Sequence, residues 1–413
     1  MDPLIYAREL ASLGIIRINA GNHHAAEACL RRAVSIDPSQ ISYQLNLAST
    51  LLRVGKPEES ISMVSEVLDK NQNIGGAWSI LGLAQSAIGL FEESRDSFAT
   101  SVLYNPENTA FHIDYSASLM LLGEWDEGWN EYEHRINIID HRFVAQPFGG
   151  YPDDLKGKHI LISSEQGAGD AIQFARFVPL IAEHASKVTF SVPASMYSLF
   201  QGYKEYGDIS LKGYAVDGVD EEILLHSVPK LFDIMPDTLP SDPGLLTYAE
   251  MDKPQSRTGF NVGICWAGST GHLRDSWRSI LFEEFLPLAN SPDWDLFSFQ
   301  VGKHSAAIAN AGAQALVTDL SGLIEAKWSA AATFLKSMDA LVTCDTGVAH
   351  LAGALDIPVC LLIPAVPDWR WLVTTGDKSP WYPRMKIIRQ ERLYEWGDCI
   401  AKAYLWVDSI RKG

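Results

Sequence analysis

The 413-residue chain contains no run of about 18 or more uncharged apolar residues, which excludes a bilayer-spanning helix. Its opening residues, Met1-Asp2-Pro3, lack the basic and apolar regions of a signal peptide. Five cysteines, Cys29, Cys265, Cys344, Cys360 and Cys399, are scattered without metal-ligand spacing, so they read as reduced thiols of a cytoplasmic protein. Positive charge is scarce: 33 basic against 51 acidic side chains leave a formal charge of −18. Such a surface repels DNA, RNA and anionic membranes unless cations are focused in a cleft, and there is no basic tail to bind a phosphate backbone. No glycine-rich loop ends in the Gly-Lys-Ser/Thr of a P-loop, and no Asp-x-Asp pair stands at a plausible donor loop.

What the chain has is an apolar fraction of 47%, 12 tryptophans and length for two or three domains. Gly21, Gly55, Gly89 and Gly123 stand 34 residues apart, each between two amphipathic stretches. Leu10, Gly14, Ala26, Leu30, Ala33 and Pro38 fill the first unit; Trp78, Gly82, Ser94, Phe98 and Pro106 fill the third. This pattern resembles the tetratricopeptide repeat, in which small residues stand where two helices approach and larger apolar ones fill the adjacent hollow. Two copies are ragged: Ala48 and Ser116 occupy the Gly14 position, and Gly128 the Ala26 position. The fourth unit ends in Trp125-Asp-Glu-Gly-Trp129-Asn-Glu-Tyr132, where Trp129 and Tyr132 share a face that caps the stack or recognises a partner.

Residues 146–157, with two prolines and three glycines, mark a junction, and beyond it the pattern becomes strand, turn and helix. Strand candidates are 159–163, 187–192 and 209–211 in a first lobe, with helical runs at 171–185 and 221–234. A second lobe offers strands at 261–266, 296–300, 316–318, 340–344 and 359–363, and a final helix spans 396–410. Strands separated by helices predict parallel sheets covered on both faces. The expected domains are 1–145, helical repeats; 155–255, a first Rossmann-like α/β lobe; 260–392, a second such lobe; and 393–413, a helix packing back across the lobes.

Three loops carry the candidate chemistry. In Glu165-Gln-Gly-Ala-Gly-Asp170, Asp170 either caps a helix or faces the cleft as a general base. The stretch from Trp266 to Ser279 gathers Ser269, Thr270, His272, Arg274 and Arg278, which suits an anion unless Asp275 neutralises them internally. In Asp345-Thr-Gly-Val-Ala-His350, Asp345 suits hydroxyl recognition, while Thr346 and Gly347 open a helix whose backbone donors can receive a diphosphate. His350 either donates to phosphate or ties the helix to a neighbouring loop.

Together these loops, with Gln173-Phe-Ala-Arg176, Pro367-Asp-Trp-Arg-Trp371 and Ser379-Pro-Trp-Tyr-Pro383, resemble the inverting GT-B glycosyltransferases of the heptosyltransferase-like (family 9-like) superfamily fused to tetratricopeptide repeats. The resemblance runs from about residue 155 to about 410, and it implies that 155–255 is the acceptor side and 260–392 the donor side. It implies Asp170 as the catalytic base, Asp345 as a donor-sugar contact, and phosphate contacts from the loop after Trp266 and the helix after Asp345. It also implies a metal-independent reaction with a nucleotide-diphosphate sugar as donor substrate, no further cofactor, and a hydroxyl acceptor, possibly on a protein held by the repeats. Simple heptosyltransferases use Lys in the polar loop where this chain has Arg274 and Arg278, so donor preference does not carry over. Trp369, Trp371 and Trp381 divide between packing and a wall near the nucleotide. The competing reading is a catalytically weak, repeat-containing scaffold that retains the nucleotide pocket. A sugar-nucleotide epimerase is disfavoured, since an early dinucleotide loop and a Tyr-x-x-x-Lys pair are missing.

Overall fold

The computed structural model describes residues 2–138, 150–249, 254, 256–269, 275–325 and 327–413. They divide into two compact units: residues 1–138 with 365–369 and 391–394, and residues 139–364 with 370–390 and 395–413.

The first unit opens with eight helices in four antiparallel pairs: α1 (Pro3–Asn19), α2 (His23–Ile36), α3 (Ile41–Arg53), α4 (Pro57–Lys70), α5 (Gly75–Ala87), α6 (Phe91–Tyr104), α7 (Thr109–Leu121) and α8 (Trp125–Tyr132). Each pair turns on one of the four periodic glycines, whose φ values of 74 to 87° lie in the left-handed region. The residue after each glycine donates to a carbonyl five positions back, as in Lys56 N–H to Leu51 O at 2.9 Å and Glu124 N–H to Leu119 O at 3.0 Å. That bond closes the first helix and releases the chain antiparallel.

The second, third and fourth crossings share one polar contact, so the ragged copies keep the geometry of the regular third one. Where α3 meets α4, Ser60 Oγ donates to Ala48 O at 2.9 Å; where α5 meets α6, Ser94 Oγ donates to Gly82 O at 2.7 Å. In the last pair the residues are exchanged, so that Ser116 of α7 donates to Gly128 O of α8 at 2.9 Å. One small residue and one short hydroxyl suffice, whichever helix carries which. The aromatic end is closed: Trp129 and Tyr132 are buried, with Trp369 set edge-on to them at 5.5 and 6.1 Å between ring centroids.

In the second unit β1 (His159–Ser163), β2 (Lys187–Val192), β3 (Asp208–Leu211) and β4 (Glu221–Leu224) form a parallel sheet in the order β3-β2-β1-β4. A second parallel sheet contains β5 (Asn261–Cys265), β6 (Asp295–Ser298), β7 (Val317–Asp319), β8 (Ala340–Cys344), β9 (Val359–Ile363) and β10 (Met385–Arg389), ordered β10-β9-β8-β5-β6-β7. Counted from β5, this is the order 3-2-1-4-5-6 of a doubly wound sheet, with its topological switch between β5 and β8.

One local reading changes. Residues 221–234, read as helical, begin as strand β4, and α-helix is confined to Val228–Leu231. Pairing with β1 overrides the helix preference of the two glutamates, and Ser163 Oγ–H satisfies Glu222. The final helix, Gly397–Lys412, buries Cys399, Ile400, Ala403 and Val407 in the core built on β5, β6 and β8. All five cysteines are free thiols, and among the described residues no helix is long and apolar enough to cross a membrane.

Candidate functional site

The switch between β5 and β8 gathers two of the three loops. Strand β5 is held open at its exit by Gln300, whose Oε1 accepts from Trp266 N–H at 3.1 Å and Ala267 N–H at 2.8 Å. Arg278 spans the switch: one guanidinium nitrogen donates to Asp345 O at 3.1 Å, while Nε faces Asp275 Oδ1 at 3.2 Å. A Cβ on Gly268 would lie 2.3 Å from the guanidinium, so the bare backbone makes room for it. The internal pairing with Asp275 is therefore formed, and Arg278 also stitches the β5 loop to the β8 loop. Ser269 is exposed beside it, and Thr270, His272 and Arg274 lie outside the described residues.

After β8, Thr346 is the N-cap of the helix Gly347–Ala354, yet its side chain makes no capping bond to that helix. Its Oγ1 lies 3.3 Å from Thr343 Oγ1 instead. Burial pushes the Cys265 thiol up to about 11, against its hydrogen bonds with Thr346 and Ala267, so this buried sulfur stays protonated at neutral pH. Asp345 Oδ1 is 4.0 Å from His350 Nε2. His350 is buried, with Nδ1 3.1 Å from Tyr382 Oη and its ring stacked on Trp371 at 5.3 Å. The Tyr382 contact ties this helix to the loop before β10. Burial raises the Tyr382 phenol far above neutrality, so its hydroxyl remains a donor.

Asp170 stands at the start of the helix Ala168–Phe174. Its Oδ2 accepts from Gly167 N–H at 2.9 Å, and its Oδ1 pairs with the Arg370 guanidinium at 2.5 Å. The cap reading is thus realised, together with an ion pair that sequence inspection missed. Arg370 Nε also donates to Gln173 Oε1 at 2.7 Å, which fixes the fork. Behind Asp170 lies His226, fully buried, with Nε2 4.0 Å from Asp170 Oδ1 and Nδ1 3.1 Å from Glu165 Oε1. Glu165 and His226 follow β1 and β4, the two strands flanking the switch of the first sheet. The Glu165, Gln173 and Arg370 contacts were hidden inside quoted motifs, and His226 inside the segment read as helix.

The loops of the two sheets meet directly. A Cβ on Gly169 would lie 3.1 Å from Gly347 Cα and 2.9 Å from His350 Cδ2, and one on Gly347 would lie 2.6 Å from the Trp328 ring. Glycine at both positions lets the two helix starts touch backbone to backbone. Trp371 and Trp381 are buried in the same unit, where Trp381 Nε1–H donates to Arg370 O at 2.9 Å, whereas Trp369 packs within the repeat unit.

A family model described as the tetratricopeptide repeat matches residues 10–40. The N-terminal helices are tetratricopeptide repeats. The chain is 22% identical over 404 residues to Protein FlbA of Caulobacter vibrioides, covering 89% of this chain and 67% of that protein. A small glutamine-rich tetratricopeptide repeat-containing protein of Dictyostelium discoideum is 29% identical over 105 residues, 25% of this chain and 31% of its own length. Among solved structures, a thermophilic TPR protein of Thermus thermophilus aligns at 17% identity and a TM-score of 0.33, over 43% of this chain and 87% of that one. MamA of Desulfovibrio magneticus RS-1 aligns at 17% identity and a TM-score of 0.28, over 32% and 73%.

Proposed function

We propose that the chain is a repeat-containing binding protein whose second unit holds a nucleotide diphosphate at the β5–β8 switch. The observation that carries this reading is the strand order of the second sheet, with a glycine-led helix start after β8 and Arg278 laid across the switch in an otherwise acidic chain. Ligands of open parallel sheets bind beyond the C-terminal strand ends at such a point. The diphosphate would meet the backbone donors of Gly347 and Val348 and the side chains of Ser269, Thr270, Arg274 and Arg278. The repeats supply the protein-binding half, with a peptide or partner protein in their groove. Calorimetry on the full chain against ADP, GDP, UDP and CDP, with and without EDTA, tests this. Binding that survives EDTA supports it, and absence of binding to all four by folded protein overturns it.

Catalysis is the second reading, favoured by Asp170 standing beside the same helix start. In a GT-B glycosyltransferase with lobes at 155–255 and 260–392, Asp170 would take the acceptor proton while the diphosphate leaves toward Arg278. That role requires Arg370 to leave Asp170 Oδ1, because the guanidinium occupies the oxygen that would receive the proton. The contact between Gly169 and Gly347 must open as well for a sugar to enter. Mass detection of products from a panel of nucleotide-diphosphate sugars separates the readings: donor binding without transfer or hydrolysis leaves the scaffold.

A further inference from the structure

The repeats place one hydrogen bond at the same position three times. Gln44 Nε2 donates to Pro38 O at 3.0 Å, Trp78 Nε1 to Gln72 O at 2.8 Å, and His112 Nε2 lies 2.7 Å from Pro106 O. An amide –NH₂ and an indole N–H can only donate, so this slot takes a donor, and the proton of His112 belongs on Nε2. Its Nδ1 then faces Glu131, 2.5 Å from Oε2, where a proton or a metal ion can be held between the two. His134, in the 3-10 turn Glu133–Ile138 after α8, stacks its ring on His112 with centroids 3.5 Å apart. One ligand atom from each of His112, Glu131 and His134 lies within 4.8 Å of the others.

We infer that His112 Nδ1, the Glu131 carboxylate and His134 bind a divalent cation of the zinc class, with water completing the shell. Two imidazoles and a carboxylate are a zinc donor set, and a metal-bound histidine that passes its other N–H to a backbone carbonyl is the usual outer-shell arrangement. Metal-ligand distances of about 2.0–2.2 Å separate tetrahedral ligands by about 3.3–3.6 Å, so the Nδ1 to Glu131 gap widens on loading. The ion must also lie near the plane of both rings, so His134 turns out of its stack. It sits on a short 3-10 turn, while His112 is fixed by its helix and by Pro106 O. Sequence inspection had no signal for this site, because His112 and Glu131 are 19 residues apart and meet only through antiparallel pairing of α7 and α8.

The test is zinc titration of the full chain by calorimetry, with cobalt substitution to read the ligand type. One zinc per chain is expected, and its cobalt form should lack thiolate charge-transfer bands. Glu131→Gln and His134→Asn should each weaken binding at least ~10-fold. His112→Gln is the control for folding, since Gln44 already makes the same bond to Pro38 O two repeats earlier; it should fold and lose the metal. No zinc uptake by the wild-type chain overturns the inference, as does uptake unchanged in folded His112→Gln and Glu131→Gln proteins, or a thiolate spectrum.

Discussion

Replacing Gly82 with alanine sets two opposed effects against each other inside one helix pair. Alanine in a helix interior is favoured over glycine by about 1 kcal/mol. The added Cβ would lie 2.9 to 3.0 Å from three ring carbons of Phe98, which is 4% exposed. A flat, buried ring cannot fold away as a lysine tip would, so overpacking of about 2–3 kcal/mol outweighs the propensity gain. Net destabilisation of about 1–2 kcal/mol follows, equivalent to a 5- to 30-fold rise in local opening. With two units in the chain a single melting curve does not isolate this pair, so the assay is native-state hydrogen exchange on peptides covering residues 75–104. Phe98→Leu supplies the second arm: a smaller, flexible neighbour lets alanine fit, and a coupling of about 1–2 kcal/mol should appear in the double-mutant cycle. Slower exchange in Gly82→Ala, or an equal effect in both backgrounds, would refute packing as the reason for glycine.

Asp295 gives a pH test: desolvation opposes ionisation, but hydrogen bonds from Thr258, Ser256 and Arg257 outweigh it and lower its carboxyl from 3.8 to about 2. Because the folded value is the depressed one, its contribution of about 2 kcal/mol is present above about pH 4 and is lost as pH falls toward 2. The stability gap between wild type and Asp295→Asn in urea should therefore shrink by roughly half between pH 6 and pH 3; a gap independent of pH refutes this. Asp170→Asn still accepts from Gly167 N–H but leaves Arg370 unneutralised, so it should cost about 2 kcal/mol by thermal unfolding. If transfer is found, the folded Asp170→Asn protein should lose about 10²- to 10⁴-fold in single-turnover rate at intact donor affinity. Gly353→Ala places a Cβ 2.5 Å from Tyr382 Cγ and should cost about 3 kcal/mol, whereas Tyr382→Phe, which removes only the hydroxyl on His350, should cost about 1 kcal/mol by the same measurement.

The repeats were legible because a left-handed turn residue is written as glycine every time, at 21, 55, 89 and 123. Strands β1, β2, β5, β8 and β9 were legible because both faces of a parallel sheet are covered, which leaves uninterrupted apolar runs such as Val359–Ile363. Strand β4 was misread, and β10 was missed, since Glu221, Glu222, Lys386 and Arg389 break that pattern. Pairing with β1 and β9, far off in sequence, decides those segments. The loops at the strand ends could be found from glycine spacing, but what each side chain touches could not. Arg370 reaches Asp170 across 200 residues, and nothing local to Pro367-Asp-Trp-Arg-Trp371 announces it. The partners of His350 and Arg278 were equally illegible: Tyr382 stands 32 residues from His350, and Asp345, whose carbonyl accepts from Arg278, stands 67 residues away.

The exchanged pair Ser116 and Gly128 bears on how such arrays are counted. A score that weighs each position as an independent letter penalises serine at the first site and glycine at the second, although their summed volume matches that of Gly82 with Ser94. The crossing responds to the sum, and the hydroxyl reaches the opposite carbonyl from either side. Divergence can therefore run through paired exchanges that leave the superhelix unchanged while erasing the letters by which a copy is recognised. Arrays tallied by single-letter matches will be systematically too short, and the copies lost first will be those whose two small residues have traded places.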